Sequence, residues 1–156
     1  MMIGYYKNEA ATDDIIKIHD DGERWLHTGD LGYLNDDGVL FVSGRIKRII
    51  MTKGNDGIVT KMFPDRIEKA VMEHPAVELC CAIGVADDIS INYANVYVVL
   101  AEGQTANEDI TKEILNICHE KLPEYMVPEK IVYCNDLPRT DRGKVDYRAL
   151  EKDTEI

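Results

Sequence analysis

The chain has 156 residues, which suits one ordinary domain or a small domain plus part of another. Hydrophobic residues make up 45% and charged residues 30%, the balance of a globular chain, and no apolar run approaches the roughly 20 residues of a membrane helix. A formal net charge of −11 argues against nucleic-acid binding, which depends on a basic face.

In chain order, short β-like runs come first: Trp25–Thr28, Leu31–Leu34 and Val39–Val42. The run Asn35-Asp36-Asp37-Gly38 between the last two reads as a hairpin turn. These strands are too few to close a core, so residues before about Arg45 read as the end of another domain. Arg48–Thr52 predicts a strand, Gly54–Gly57 a turn and Ile58–Thr60 the return strand. Pro64 opens a helix where its missing N–H costs nothing, with Ile67, Val71 and His74 on one face and a stop before Pro75. Val77–Val85 and Ala94–Leu100 are β-branched apolar runs, joined by a polar connection from Asp87 to Tyr93. Thr105-x-x-Glu108 predicts a capping box for a helix from about Asn107 to Lys121, with Ile110, Ile114, Ile117 and Cys118 as its apolar stripe. Ile131–Tyr133 reads as the last strand and Tyr147–Lys152 as a short closing helix. The order β, α, β, β, α, β describes a small α+β domain with helices on a three-stranded sheet.

Charge is uneven along the chain. Arg45, Lys47, Arg48, Lys53, Lys61, Arg66 and Lys69 outnumber the anions around them, a candidate surface for a small phosphorylated ligand. Cys80, Cys81, Cys118 and Cys134 lie in apolar surroundings without metal-ligand spacing, and the adjacent pair points to opposite faces if it lies on a strand. The four histidines form no sequence cluster, so no metal site is expected. The residues after the opening methionines do not read as a signal peptide, and a reducing cytoplasm is the expected location.

Two motifs carry chemistry. Lys144 follows Gly143 in Leu137-Pro138-Arg139-Thr140-Asp141-Arg142-Gly143-Lys144, a stretch without helical or strand periodicity. A mobile loop of this kind presents an ammonium group to an anion, though alone it reads equally as a solvated lysine on a tail. Upstream, Trp25-Leu26-His27-Thr28-Gly29-Asp30-Leu31-Gly32 is followed by Gly44-Arg45-x-Lys47. Asp30, in a Gly-flanked turn, is placed to accept two hydroxyl hydrogen bonds from a vicinal diol such as ribose.

With these motifs the chain resembles the adenylate-forming superfamily, which includes AMP-forming acyl-CoA synthetases, adenylation domains of peptide synthetases and luciferases. The resemblance runs from Gly4-Tyr5-Tyr6 to Leu150 and includes Pro64-x-x-Ile67-Glu68, His74-Pro75-x-Val77 and Leu122-Pro123-x-Tyr125-x-Val127-Pro128. It implies that residues 1–46 are the last strands of a large N-terminal AMP-binding domain and 47–156 a C-terminal lid. It also implies that Asp30 and Arg45 bind the ribose of ATP, that Lys47 is the hinge of a rotating lid, and that Lys144 is the catalytic residue, reaching the α-phosphate and the substrate carboxylate. Gly54 and Gly57 would lie near the pantetheine of CoA, on a loop longer than the usual Gly-rich turn. ATP, CoA and Mg²⁺ are the implied cofactors, with Mg²⁺ bound mainly by the N-terminal domain.

The Gly-rich phosphate loop, acid pocket and adenine motif of the superfamily are absent, so the chain is expected to be a fragment, inactive alone, of an acid–CoA ligase. Strand-paired self-association of the fragment is a further expectation. Two alternatives remain: the lid of an adenylation domain that loads a carrier protein, and a non-catalytic binding or assembly module that keeps the fold.

Overall fold

The computed structural model describes residues 1–54, 56–87 and 91–153. The chain divides into two compact units, Met1–Lys47 and Arg48–Ile156.

The first unit is built from hairpins. Helix α1 (Glu9–Ile15) is capped by Asn8, whose side chain accepts from the Ala11 N–H. β1 (Ile16–Ile18) pairs antiparallel with β2 (Arg24–Leu26), and β3 (Asp30–Leu34) with β4 (Leu40–Arg45). The expected turn at Asn35–Gly38 is present: Asn35 Oδ1 accepts from the amides of Asp37 and Val39 at 3.1 and 2.8 Å. α1 and β1 were not foreseen, because α1 buries no residue and three residues of β1 are too few for an alternation to register. Ile16 is the one buried hydrophobic residue of this unit.

The second unit holds a true core. β5 (Ile50–Lys53) and β6 (Val59–Met62) form an antiparallel hairpin, while Asn55 in its expected turn lies outside the described residues. α2 (Pro64–Val71) opens on Pro64 as expected, and its Ile67 and Val71 are fully buried. β7 (Val77–Asp87) and β8 (Ile91–Leu100) pair antiparallel along nearly their whole length. Both strands are longer than the apolar runs suggested, so the polar connection shrinks to residues 88–90, outside the described residues. α3 (Glu108–Lys121) then crosses over to β9 (Lys130–Tyr133), which lies parallel to β8, giving the order β7-β8-β9.

One correction concerns the start of α3. Its N-cap is Asn107, extended at φ −151° and ψ 171°, whose side chain accepts from the Ile110 N–H at 2.9 Å. Thr105 lies outside the helix and its carbonyl accepts from Asn107 Nδ2. A capping box needs its Ser or Thr directly before the first turn, and Asn107 already occupies that place.

The sheet buries two faces. Cys80, Ala82, Ala94, Val96 and Val98 meet α2, α3 and the β5–β6 hairpin, with Met62, Ile67, Ile114 and Cys118 at the centre. On the other face Cys81 and Ile83 pack with Leu137 and with Leu150 of α4 (Tyr147–Asp153). Cys80 and Cys81 therefore face opposite ways, as period-two alternation requires. The fold is α+β, with a three-stranded sheet, flanking helices and hairpins.

Candidate functional site

In the first unit the β3–β4 register sets Asp30 directly opposite Arg45. Arg45 Nε lies 2.8 Å from Asp30 Oδ1, and its Nη1 donates to the Thr28 carbonyl at 3.3 Å. Thr28 Oγ1 accepts from the Asp30 N–H at 3.1 Å, and Ile46 N–H donates to Gly29 O at 2.9 Å, closing the turn from both sides. Gly32 permits this register. A Cβ there would sit 2.5 Å from the Phe41 carbonyl oxygen, beside the bulge between Leu31 and Gly32. The result is an exposed carboxylate and guanidinium held as a pair on one hairpin. In the same unit, His19 and His27 share an Nε2···Nε2 contact of 2.8 Å on the β1–β2 hairpin, a proximity their sequence spacing hid. Among the described residues no group of three or more side chains forms a metal-ligating set.

Lys47 lies in a 3-10 turn, Ile46–Arg48, and is exposed. Arg48 behaves in the opposite way. Its guanidinium is turned inward, with only 16% of the side chain exposed. Nη2 donates to Glu68 Oε1 at 2.6 Å and to the Ala82 carbonyl at 3.1 Å, while Nη1 donates to Glu68 Oε2 at 3.2 Å and Asp65 Oδ1 at 3.1 Å. Glu68 Oε1 also accepts from the Ala82 N–H at 2.8 Å. Burial alone would lower the Arg48 pKa, but its hydrogen bonds to Glu68 and the nearby carboxylate charges raise it. The basic run read from the sequence is thus partly consumed internally, since Arg45 and Arg48 both answer anions of their own units. Sequence reasoning missed this arrangement. Its signal was Asp65 and Glu68, three apart on one face of α2.

Lys144 sits on a closed turn rather than an open tail. Gly143 N–H donates to Thr140 O at 2.8 Å and Thr140 N–H to Lys144 O at 2.7 Å, with Arg139 and Val145 bridged on either side. Arg139 Nη1 adds a hydrogen bond to the Gly143 carbonyl at 3.2 Å. Gly143 has φ +77°, a left-handed conformation that other residues enter only at a cost. The Lys144 side chain is exposed, and no described side chain pairs with it. The turn is held from below, because Leu137, Val145, Tyr147 and Leu150 belong to one packed cluster.

Gly54 and Gly57 close the tip of the β5–β6 hairpin, with Gly57 N–H donating to Gly54 O at 2.8 Å. Asp56 Oδ1 accepts from the Ile58 N–H at 2.9 Å and lies where a Cβ on Gly54 would point. Gly54 also lines a cleft of about 530 Å³, whose walls include Lys53, Thr60, Tyr93, Glu124 and Tyr125.

Residues 66–144 match the family model of the AMP-binding enzyme C-terminal domain. The chain belongs to this family. Among curated relatives, 2-succinylbenzoate–CoA ligases of Bacillus mycoides (strain KBAB4) and Bacillus cereus (strain Q1) are each 36% identical over 149 residues. Those matches cover 96% of this chain and 28% of each relative, so the chain spans little more than a quarter of their length. Among solved structures, the o-succinylbenzoate CoA synthetase of Bacillus subtilis in complex with its acyl-adenylate superposes with a TM-score of 0.78 at 29% identity. It covers 96% of this chain and 28% of that one. An anthranilate CoA ligase in complex with anthranoyl-AMP gives a TM-score of 0.79 at 26% identity, covering 97% and 27%. No described helix of this family member is long and apolar enough to cross a membrane.

Proposed function

We propose that this chain supplies the C-terminal, Lys144-bearing part of a cytoplasmic, ATP-dependent, AMP-forming acid–CoA ligase. Residues 1–46 belong on this reading to the large nucleotide-binding domain, and 47–156 form the lid. The observation that carries it is Lys144, an exposed ammonium that no described side chain pairs, on a turn braced by backbone hydrogen bonds and a packed base.

In the first half-reaction the substrate carboxylate attacks the α-phosphorus of ATP, forming the mixed anhydride and expelling pyrophosphate. Attack brings two anions together, and the Lys144 ammonium neutralises the charge that gathers on the transferring phosphoryl oxygens. Asp30 accepts hydrogen bonds from the ribose hydroxyls, with Arg45, already held at 2.8 Å, donating beside it. Mg²⁺ would screen the polyphosphate; the described residues offer no ligand set for it, and no step here passes through it. In the second half-reaction the CoA thiol attacks the acyl carbonyl and AMP leaves. Rotation about Lys47 withdraws Lys144 and brings up the face bearing Gly54 and Gly57, where the cleft beside Gly54 accommodates the pantetheine arm.

The test is a graft of this chain in place of the matching segment of a 2-succinylbenzoate–CoA ligase. Acid-dependent ATP–pyrophosphate exchange should be retained in the graft and fall at least a hundredfold with Lys144→Ala. Thioester formation from supplied acyl-adenylate should persist in that variant. Equal loss in both half-reactions, or unchanged exchange, overturns the assignment.

A further inference from the structure

The guanidinium of Arg48 makes more contacts than an ion pair requires. It spans α2 through Asp65 and Glu68, the free edge of β7 through the Ala82 carbonyl, and α4 through the Tyr147 ring, whose centroid lies 5.2 Å away. The preceding residue, Lys47, is exposed. Tyr147 lies three residues beyond Lys144 and packs in the cluster beneath its turn.

We propose that Arg48 is a positioning residue that ends the pivot: it fastens the first residue after Lys47 to the sheet and to the base of the Lys144 turn. Backbone freedom then stops at Lys47, and Lys144 moves as one body with Arg48, the first residue beyond the pivot. A bidentate grip on Glu68 needs the planar fork of arginine, and a lysine ammonium cannot also reach a carbonyl and stack on a ring in the same geometry. The importance of this rigidity rests on the function proposed for Lys144. The geometry itself does not, so it is tested without nucleotide or acid.

The measurement is ¹⁵N relaxation and amide exchange on the 156-residue chain, comparing it with Arg48→Lys, Glu68→Gln and Tyr147→Leu. In the unaltered chain, low order parameters should end at Lys47. Arg48→Lys and Glu68→Gln should extend them through Ile49. Both variants should also speed exchange of the Thr140 and Asp146 amides at least tenfold, leaving the α3 amides from Ile114 to Cys118 unchanged. Tyr147→Leu removes only the stacking arm, and should loosen the Lys144 turn without moving the boundary at Lys47. Uniform acceleration across the unit would mark Arg48 as merely stabilising and overturn the proposal, as would an unmoved boundary with an unaltered Lys144 turn.

Discussion

Gly143 shows how narrow the requirement at a single residue can be. A Cβ there would meet nothing within 4 Å, so Gly143→Ala carries only the cost of φ +77°, roughly 1–2 kcal/mol. Urea unfolding of the variant should show that loss, and amide exchange at Thr140 should quicken as the turn opens. The cysteines make a second case. Burial first, and then the Glu68 charge, push the Cys80 thiol up to about 12. An unfolded thiol deprotonates near 8.5, so between about pH 8.5 and 12 the unfolded chain has lost a proton that the folded chain keeps. The stabilisation is complete below about pH 8.5 and fades as pH climbs toward the folded value. Unfolding free energies at pH 9.5 and 10.5 should therefore fall more steeply in the natural chain than in Cys80→Ala, by about 1.4 kcal/mol per pH unit. His74 owes its buried place to hydrogen bonds. Its Nδ1 accepts from the Ala76 N–H at 3.2 Å, which leaves the Nε2 hydrogen to donate to Glu113 Oε2 at 2.9 Å.

At the scale of elements, the start of α3 separates two readings of one sequence. Asn107→Ala should cost about 1 kcal/mol in urea unfolding, whereas Thr105→Ala should cost almost nothing. The reverse result would restore the capping box. α2, β7, β8, α3 and β9 carry core-facing residues at helical spacing or in apolar runs, so their existence and order were legible although β7 and β8 run longer than those runs. α1 and β1 bury only Ile16 between them, so the chain carries no periodic signal there. Within the site, the Asp30–Arg45 pairing depends on a bulge beside Gly32, and the Arg48 contacts depend on three elements meeting around one side chain. Local spacing encodes neither. The sequence singled out Lys144 as a candidate by its motif, but the closed turn beneath it was not legible, since Arg139 and Val145 pair as a lone bridge outside any strand.

At the scale of the whole molecule, burial is unequally shared. Among the described residues, every buried hydrophobic side chain except Ile16 lies beyond Lys47. Trp25, Tyr33, Leu34, Leu40, Phe41 and Val42 of the first unit are exposed. A unit without a core opens locally at little cost in free energy. Amide exchange should find residues 1–47 close to unprotected while β7, β8 and α3 exchange only through global unfolding. Limited proteolysis should likewise leave a resistant product beginning near Arg48. Comparable protection in both units would show that the first holds itself together by means other than burial.

The free edge of β7 has a consequence for solubility. An edge strand offers unpaired backbone groups to any passing strand, and Val77–Val85 is an apolar, β-branched run of the kind that recruits partners. At Ala82 both outward groups are already taken, the N–H by the Glu68 carboxylate and the carbonyl by the Arg48 guanidinium. To hydrogen-bond at Ala82, a foreign strand would have to displace a partly buried ion pair. The pair thus acts as a gatekeeper against sheet-to-sheet growth, a protection that the sequence places on a helix and at the start of the unit, far from the strand it guards.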